Sequence, residues 1–213
     1  MSTIASKSKQ EIKQLRVRAE SHTLRNDRDG YDLFWADDEL VDLYLEPGRV
    51  ANFQHVAQLC ADWPGNVIDL GCGSGTMLQE LLAADRSGAK MITGIDYAPS
   101  AIQRCKQILP SGTFLQSDLC KTNLPDASFD LVLSIQTMEH LDRPADALLE
   151  MWRLMKVGAR LVITIPNGEI DKWEGHCNFW TIDSFLQLAG KPAERIERIN
   201  ENRNLLFVFR KSA

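Results

Sequence analysis

Val67-Ile-Asp-Leu-Gly-Cys-Gly-Ser-Gly75 decides the fold. An apolar run, Val67, Ile68 and Leu70, stops at three glycines on alternate positions, Gly71, Gly73 and Gly75, and a helix-like segment follows. Strand, glycine turn and helix in that order form a nucleotide-cofactor cradle in an α/β fold. Glycine is needed where the backbone turns sharply or lies against a ligand with no Cβ in the way. Asp69 places a carboxylate just before the turn. A nicotinamide fingerprint reads G-x-G-x-x-G, and here the third glycine arrives one residue early.

Outward from this stretch the chain alternates. Strands are predicted at 66–70, 90–95, 112–117, 129–135 and 159–165, each continuously apolar in the manner of strands covered on both faces. Helices are predicted between them at 75–84, 99–109 and 144–156, with Pro99 and Pro144 where a first helical turn tolerates proline. Such alternation implies a parallel sheet with right-handed crossovers. After Pro166 the pattern changes: a helix near 181–189 precedes strands 194–200 and 204–210, joined by Glu201-Asn202-Arg203. So short a link makes an antiparallel hairpin. The expected fold is therefore α/β: a Rossmann-like, doubly wound seven-strand sheet, mostly parallel, with an antiparallel C-terminal hairpin strand.

Upstream, Val50–Ala61 reads as a helix, and Tyr31–Leu45 as a short helical lid that Pro47-Gly48 breaks. Residues 1 to about 30 are polar and charged with a weak helical pattern (Ile12, Leu15, Val17, Ala19), and read as a mobile or partner-dependent arm. The division expected is an N-terminal helical arm and lid at 1–45 and a cofactor-dependent domain at 46–213. A length of 213 residues suits one full core with a modest appendage. The net charge of −5 argues against a nucleic-acid partner, which asks for a basic surplus. The five cysteines are odd in number and lack metal-ligand spacing, so reduced thiols in a cytoplasmic protein are expected. No apolar run approaches the ~18 residues of a membrane span. Residues 1–10 lack the apolar stretch of a secretory signal. Residues 7–28 hold seven Lys or Arg, but Glu11, Glu20 and Asp27 make them too acidic for a mitochondrial presequence.

Asp96 closes the second strand, 21 residues beyond Gly75, where an acid can accept both ribose hydroxyls of an adenosine. Tyr97 follows and would lie against the adenine. Asp118 ends the third strand, placed to accept the adenine amino group while the Leu119 N–H serves a ring nitrogen; an aspartate there also suits a turn or cap.

With these residues in view the chain resembles a class I S-adenosylmethionine-dependent methyltransferase of the small-molecule type, similar to the ubiquinone-biosynthesis methyltransferases. The likeness runs from about residue 45 to 210. It rests on Asp69–Gly75, Gly94-Ile-Asp96, Ser117-Asp-Leu119, Leu124–Ser134, Met138-Glu-His-Leu141 and Met151–Gly158. One departure is Val157-Gly-Ala159, where relatives often carry Pro-Gly-Gly. The resemblance implies S-adenosylmethionine as cofactor, with S-adenosylhomocysteine as product. Asp69 and the glycine loop would hold its methionine end, Asp96 the ribose, and Asp118 with Leu119 the adenine. Ile135 and Gln136 would line the sulfonium. Arg49 would pair with the methionine carboxylate, or stand as a solvated arginine at a helix start.

Methyl transfer needs positioning and exclusion of water, and a hydroxyl acceptor also needs a base. His140, just past the fourth strand, and His176, within Trp173–Trp180, are the candidate catalytic residues; His140 would otherwise tie loops together. The tryptophans and Phe179 of that segment would wall the pocket of a small-molecule methyl acceptor, or pack against the lid. No metal is expected, because the acids and histidines show no H-x-x-x-H spacing. Two other readings stand beside this one: a non-catalytic cofactor-binding subunit supporting a partner, and an NAD(P)-dependent oxidoreductase.

Overall fold

Val67, Ile68 and Leu70 are fully buried because β1 (Gly65–Leu70) is the middle of a sheet. In this computed structural model, which describes residues 7–24, 26–88 and 90–212, β1 runs parallel to β2 (Lys90–Asp96) on one side and β4 (Phe129–Ile135) on the other. With β3 (Thr113–Gln116), β5 (Met155–Pro166), β6 (Arg195–Ile199) and β7 (Asn204–Arg210) the order is β3-β2-β1-β4-β5-β7-β6. β7 is antiparallel to both its neighbours. The expected doubly wound sheet, parallel up to a closing antiparallel hairpin, is what forms.

The continuously apolar strands resolve into two faces by the period of two. Ile68, Leu70, Val132, Leu161, Ile163, Phe207 and Phe209 join one core. It is covered by α7 (Pro144–Leu154) and α8 (Ile182–Ala189). Val67, Leu131, Leu133, Val162, Leu206 and Val208 join the other. That face carries α4 (Pro47–Cys60), α5 (Thr76–Ala83) and α6 (Pro99–Ile108).

Three elements depart from expectation. Residues of the presumed arm form a helix, α1 (Lys9–Thr23), opened by a capping box between Ser8 and Glu11. Its Leu15 is buried with Phe34 and Trp35 of α2 (Arg28–Ala36) and Leu40 and Val41 of α3 (Asp38–Tyr44). Lys7 pairs with Glu39, and Arg18 with Asp37 and Glu39, so part of the basic charge read as a free arm finds acids within the chain. The part of that arm at residues 1–6, and of the signal-sequence expectation, lies outside the described residues. The lid is two helices, because Asp37 ends α2 and caps α3 through the N–H groups of Glu39 and Leu40. Pro47 starts α4 rather than merely breaking the chain. Finally, α7 stops at Leu154 and β5 begins at Met155, which pairs with Phe129 ahead of a bulge; ladder pairing overrides the helical pattern read through 156. Among the described residues no helix is long and apolar enough to cross a membrane.

Candidate active site

The loop after β1 takes its shape from three left-handed glycines, Gly71, Gly73 and Gly75, with φ of +88°, +50° and +80°. Gly71 and Cys72 donate their N–H groups to the carbonyl of Ile95 at 2.8 and 2.9 Å, which ties the loop to the end of β2. Gly73 N–H donates to Asp96 at 2.9 Å, and the other carboxylate oxygen of Asp96 accepts Ala98 N–H at 3.0 Å. A Cβ at Gly73 would stand 2.7 Å from the Trp35 ring, so the loop fits closely beneath α2.

These elements end around a cavity of about 520 Å³ at the C-terminal edge of β1 to β4. Asp69, Gly71, Gly73, Asp96, Tyr97, Asp118, Leu119, Ile135 and Gln136 all line it. Gly75 does not. It is the N-cap of α5, and a Cβ there would meet Cys105 and Ile108 of α6. Arg49 also lies outside this cavity, lining two adjoining ones of about 400 and 570 Å³. Its guanidinium lies 4.1 Å from the centre of the Tyr44 ring, and its Nε is buried without a partner.

Asp69 is buried and one of its oxygens has no partner. Burial, with the charge of Asp96 added, pushes its carboxyl up to about 7. Burial also pushes Asp96 up to about 6, against the pull of its backbone hydrogen bonds. A buried acid with an orphan oxygen facing a cavity asks for a donor such as an amino or hydroxyl group. Asp118 is half exposed, accepts Cys120 N–H at 2.8 Å and pairs with Arg143 at 2.7 Å, so it is a turn residue and a wall of the cavity at once.

Gln136 lines all three cavities. Its φ of +55° is unusual for a side-chain-bearing residue, and its N–H donates to Thr164 O at 2.9 Å. Beside it stands a cluster of titratable groups. The Nδ1 of His140 meets Tyr31 Oη at 2.9 Å, and that of His176 meets Asp171 at 2.5 Å. Glu139, His140 and His176 bring one ligand-type atom each within 4.8 Å of one another, and Glu139 Oε2 is buried without a partner. Burial lowers His140 to about 3, with His176 adding to the effect, and raises Glu139 to about 8. Burial also lowers His176, while Asp171 acts to raise it. Of these groups Asp171 and Tyr31 were not singled out from the sequence. Asp171 stands five residues before His176, a weak signal that only the turn between them turns into a pair.

A nucleotide-sized cavity walled by a glycine loop and three strand-end aspartates defines a class: the adenosine-cofactor domains of doubly wound sheets. Residues 68–163 narrow it, matching the family described as "Methyltransferase domain". That stretch is thereby similar to S-adenosylmethionine-dependent methyltransferase domains. The chain is 27% identical over 172 residues to the 2-methyl-6-phytyl-1,4-hydroquinone methyltransferase of Synechocystis sp., covering 74% of this chain and 53% of that protein. It is 29% identical over 132 residues to the trans-aconitate 2-methyltransferase of Azoarcus sp., covering 62% and 51%. The chain thus spans about half the length of these curated relatives. The N-methyltransferase NodS of Bradyrhizobium japonicum, solved with S-adenosylhomocysteine, shares the fold with a TM-score of 0.71 at 17% identity over 87% of this chain and 98% of that one.

Proposed function

We propose that the chain transfers the methyl group of S-adenosylmethionine to O, N or C of a small-molecule metabolite, releasing S-adenosylhomocysteine. The observation that carries this reading is that Gln136 lines three cavities at once: the one walled by the glycine loop and two neighbours that hold acid and base groups. Residues 46–213 carry the chemistry in this reading, and 1–45 supply the lid. The acidic balance speaks for a small acceptor rather than nucleic acid. The five free cysteines suit a reducing cytoplasmic setting.

In the cradle Asp69 and the glycine loop receive the methionine end, Asp96 the ribose hydroxyls, and Tyr97, Asp118 and Leu119 the adenine. S-adenosylmethionine, when bound there, would supply a methyl activated by its sulfonium for in-line displacement, the acceptor's electron pair forming the new bond as the carbon–sulfur bond breaks onto sulfur. Gln136 and Ile135 wall that junction, and Trp35, Tyr31 and Tyr44 exclude water over it. Where the acceptor is a hydroxyl, its proton passes to His176, oriented by Asp171. His140, held near 3, is too weak a base and instead braces Tyr31.

Incubation with methyl-labelled S-adenosylmethionine and a metabolite extract tests this. Labelled product is expected, with His176→Ala slowing its formation at unchanged S-adenosylhomocysteine affinity. Cofactor binding with no labelled product from any extract would favour a non-catalytic subunit instead.

A further inference from the structure

Cations gather at the acceptor side of a chain whose overall charge is −5. Arg49, Lys172 and Arg203 all line the cavity of about 400 Å³ beyond Gln136, and Arg49 and Arg203 extend into its larger neighbour. Among the described residues the side chains of Lys172 and Arg203 make no hydrogen bond or ion pair, and Arg49 keeps a buried Nε without a partner. Of the carboxylates nearby, Glu139 lines the larger cavity with Arg49 and Arg203, and burial raises it to about 8 even with the Arg49 charge acting to lower it, so it stands protonated at neutral pH. Asp171 is bonded to His176, and Glu46 is exposed.

The placement of Arg203 is built. Asn200, Glu201 and Asn202 are all left-handed, with φ of +52°, +53° and +69°. Such a run in residues with side chains persists only where its surroundings hold it. Asn167, fully buried at the end of β5, does so: its N–H donates to Arg203 O at 2.7 Å and its side-chain amide to Asn202 O at 3.0 Å. The turn between β6 and β7 is thereby fixed with Arg203 facing the open edge of the sheet. A guanidinium fork with free donors is complementary to a planar carboxylate, and Tyr31, Phe34 and Trp173 line the larger cavity as an apolar wall for the rest of the molecule.

Resting on the methyl-transfer reading, we infer that the acceptor is a small carboxylic acid with an apolar body, its carboxylate held by Arg49 and Arg203 and its methylated end at Gln136. Lys172 adds charge at the entrance without a directed bond.

The test uses the full chain saturated with S-adenosylhomocysteine, so that the cofactor cavity is filled. Cinnamate, phenylacetate and hexanoate are titrated calorimetrically, each against its own primary amide. At least one acid should bind about tenfold tighter than its amide, as loss of a charge-assisted pair predicts. Arg203→Gln and Arg49→Gln should each erase that preference while S-adenosylhomocysteine affinity stays within about twofold. Acids binding no better than their amides, or a preference that survives both substitutions, would overturn the inference. So would a loss of S-adenosylhomocysteine affinity in these variants, which would assign the arginines to the methionine end. In each of those cases the methyltransferase reading stands. It fails separately, if the unmodified chain does not bind S-adenosylhomocysteine.

Discussion

Gly73 shows how closely the cradle is fitted. Its left-handed backbone and the Trp35 ring, 2.7 Å from where a Cβ would be, leave valine no place. Gly73→Val forces strain of about 2 to 3 kcal/mol on the loop, so S-adenosylhomocysteine affinity should fall on the order of 100-fold; calorimetry showing it unchanged would sink the cradle assignment. The aspartates give a second prediction. Burial raises Asp69 to about 7 and Asp96 to about 6, so both take up protons just below neutrality and lose acceptor capacity toward the ligand. Affinity for S-adenosylhomocysteine should be full above about pH 8 and decline as pH drops toward about 5. A flat profile over that range would contradict the roles given to these acids.

At the scale of elements, Glu150 on α7 pins the segment after β3. It accepts Thr122 N–H at 2.8 Å and Thr122 Oγ1 at 2.6 Å, and pairs with Arg153 at 2.7 Å. Arg153, with the Thr122 bonds, lowers its carboxyl from 4.5 to about 2 despite burial. The stabilisation is therefore complete above about pH 4.5 and lost as pH falls toward 2. Glu150→Gln should cost about 1 to 2 kcal/mol at neutral pH, with the gap from wild type closing in acid; a gap that widens below pH 4 in denaturant titrations would refute the pairing. Elements with a clear period were legible. Strands 129–135 and 204–210 were read to the residue, because apolar runs covered on both faces leave little choice. The α7–β5 boundary was not, since Met155 obeys its pairing with Phe129, a partner 26 positions earlier. Nor was α1, whose single deeply buried apolar residue, Leu15, gives only a weak periodic signal.

For the whole molecule, topology does most of the positioning. Strands entering the sheet in the order β3-β2-β1-β4 deliver Asp118, Asp96, Asp69 and Gln136 to one edge. That is why a reading of strand ends found nine residues of the cavity wall. The proposed acceptor side was harder to read because its parts come from α4, the segment after β5 and the β6–β7 turn, brought together only by packing. Arg203 passed as a hairpin link, and Arg49, read either toward the methionine carboxylate or as a solvated arginine at a helix start, lines the neighbouring cavities. The central claim is that this edge is built for S-adenosylmethionine rather than for a nicotinamide dinucleotide. Titration calorimetry of the full chain with S-adenosylhomocysteine and, separately, with NADH and NADPH tests it most directly. The account predicts one saturable S-adenosylhomocysteine site per chain, weakened by Gly73→Val, and no heat from either dinucleotide. Binding of a dinucleotide with none of S-adenosylhomocysteine would contradict it.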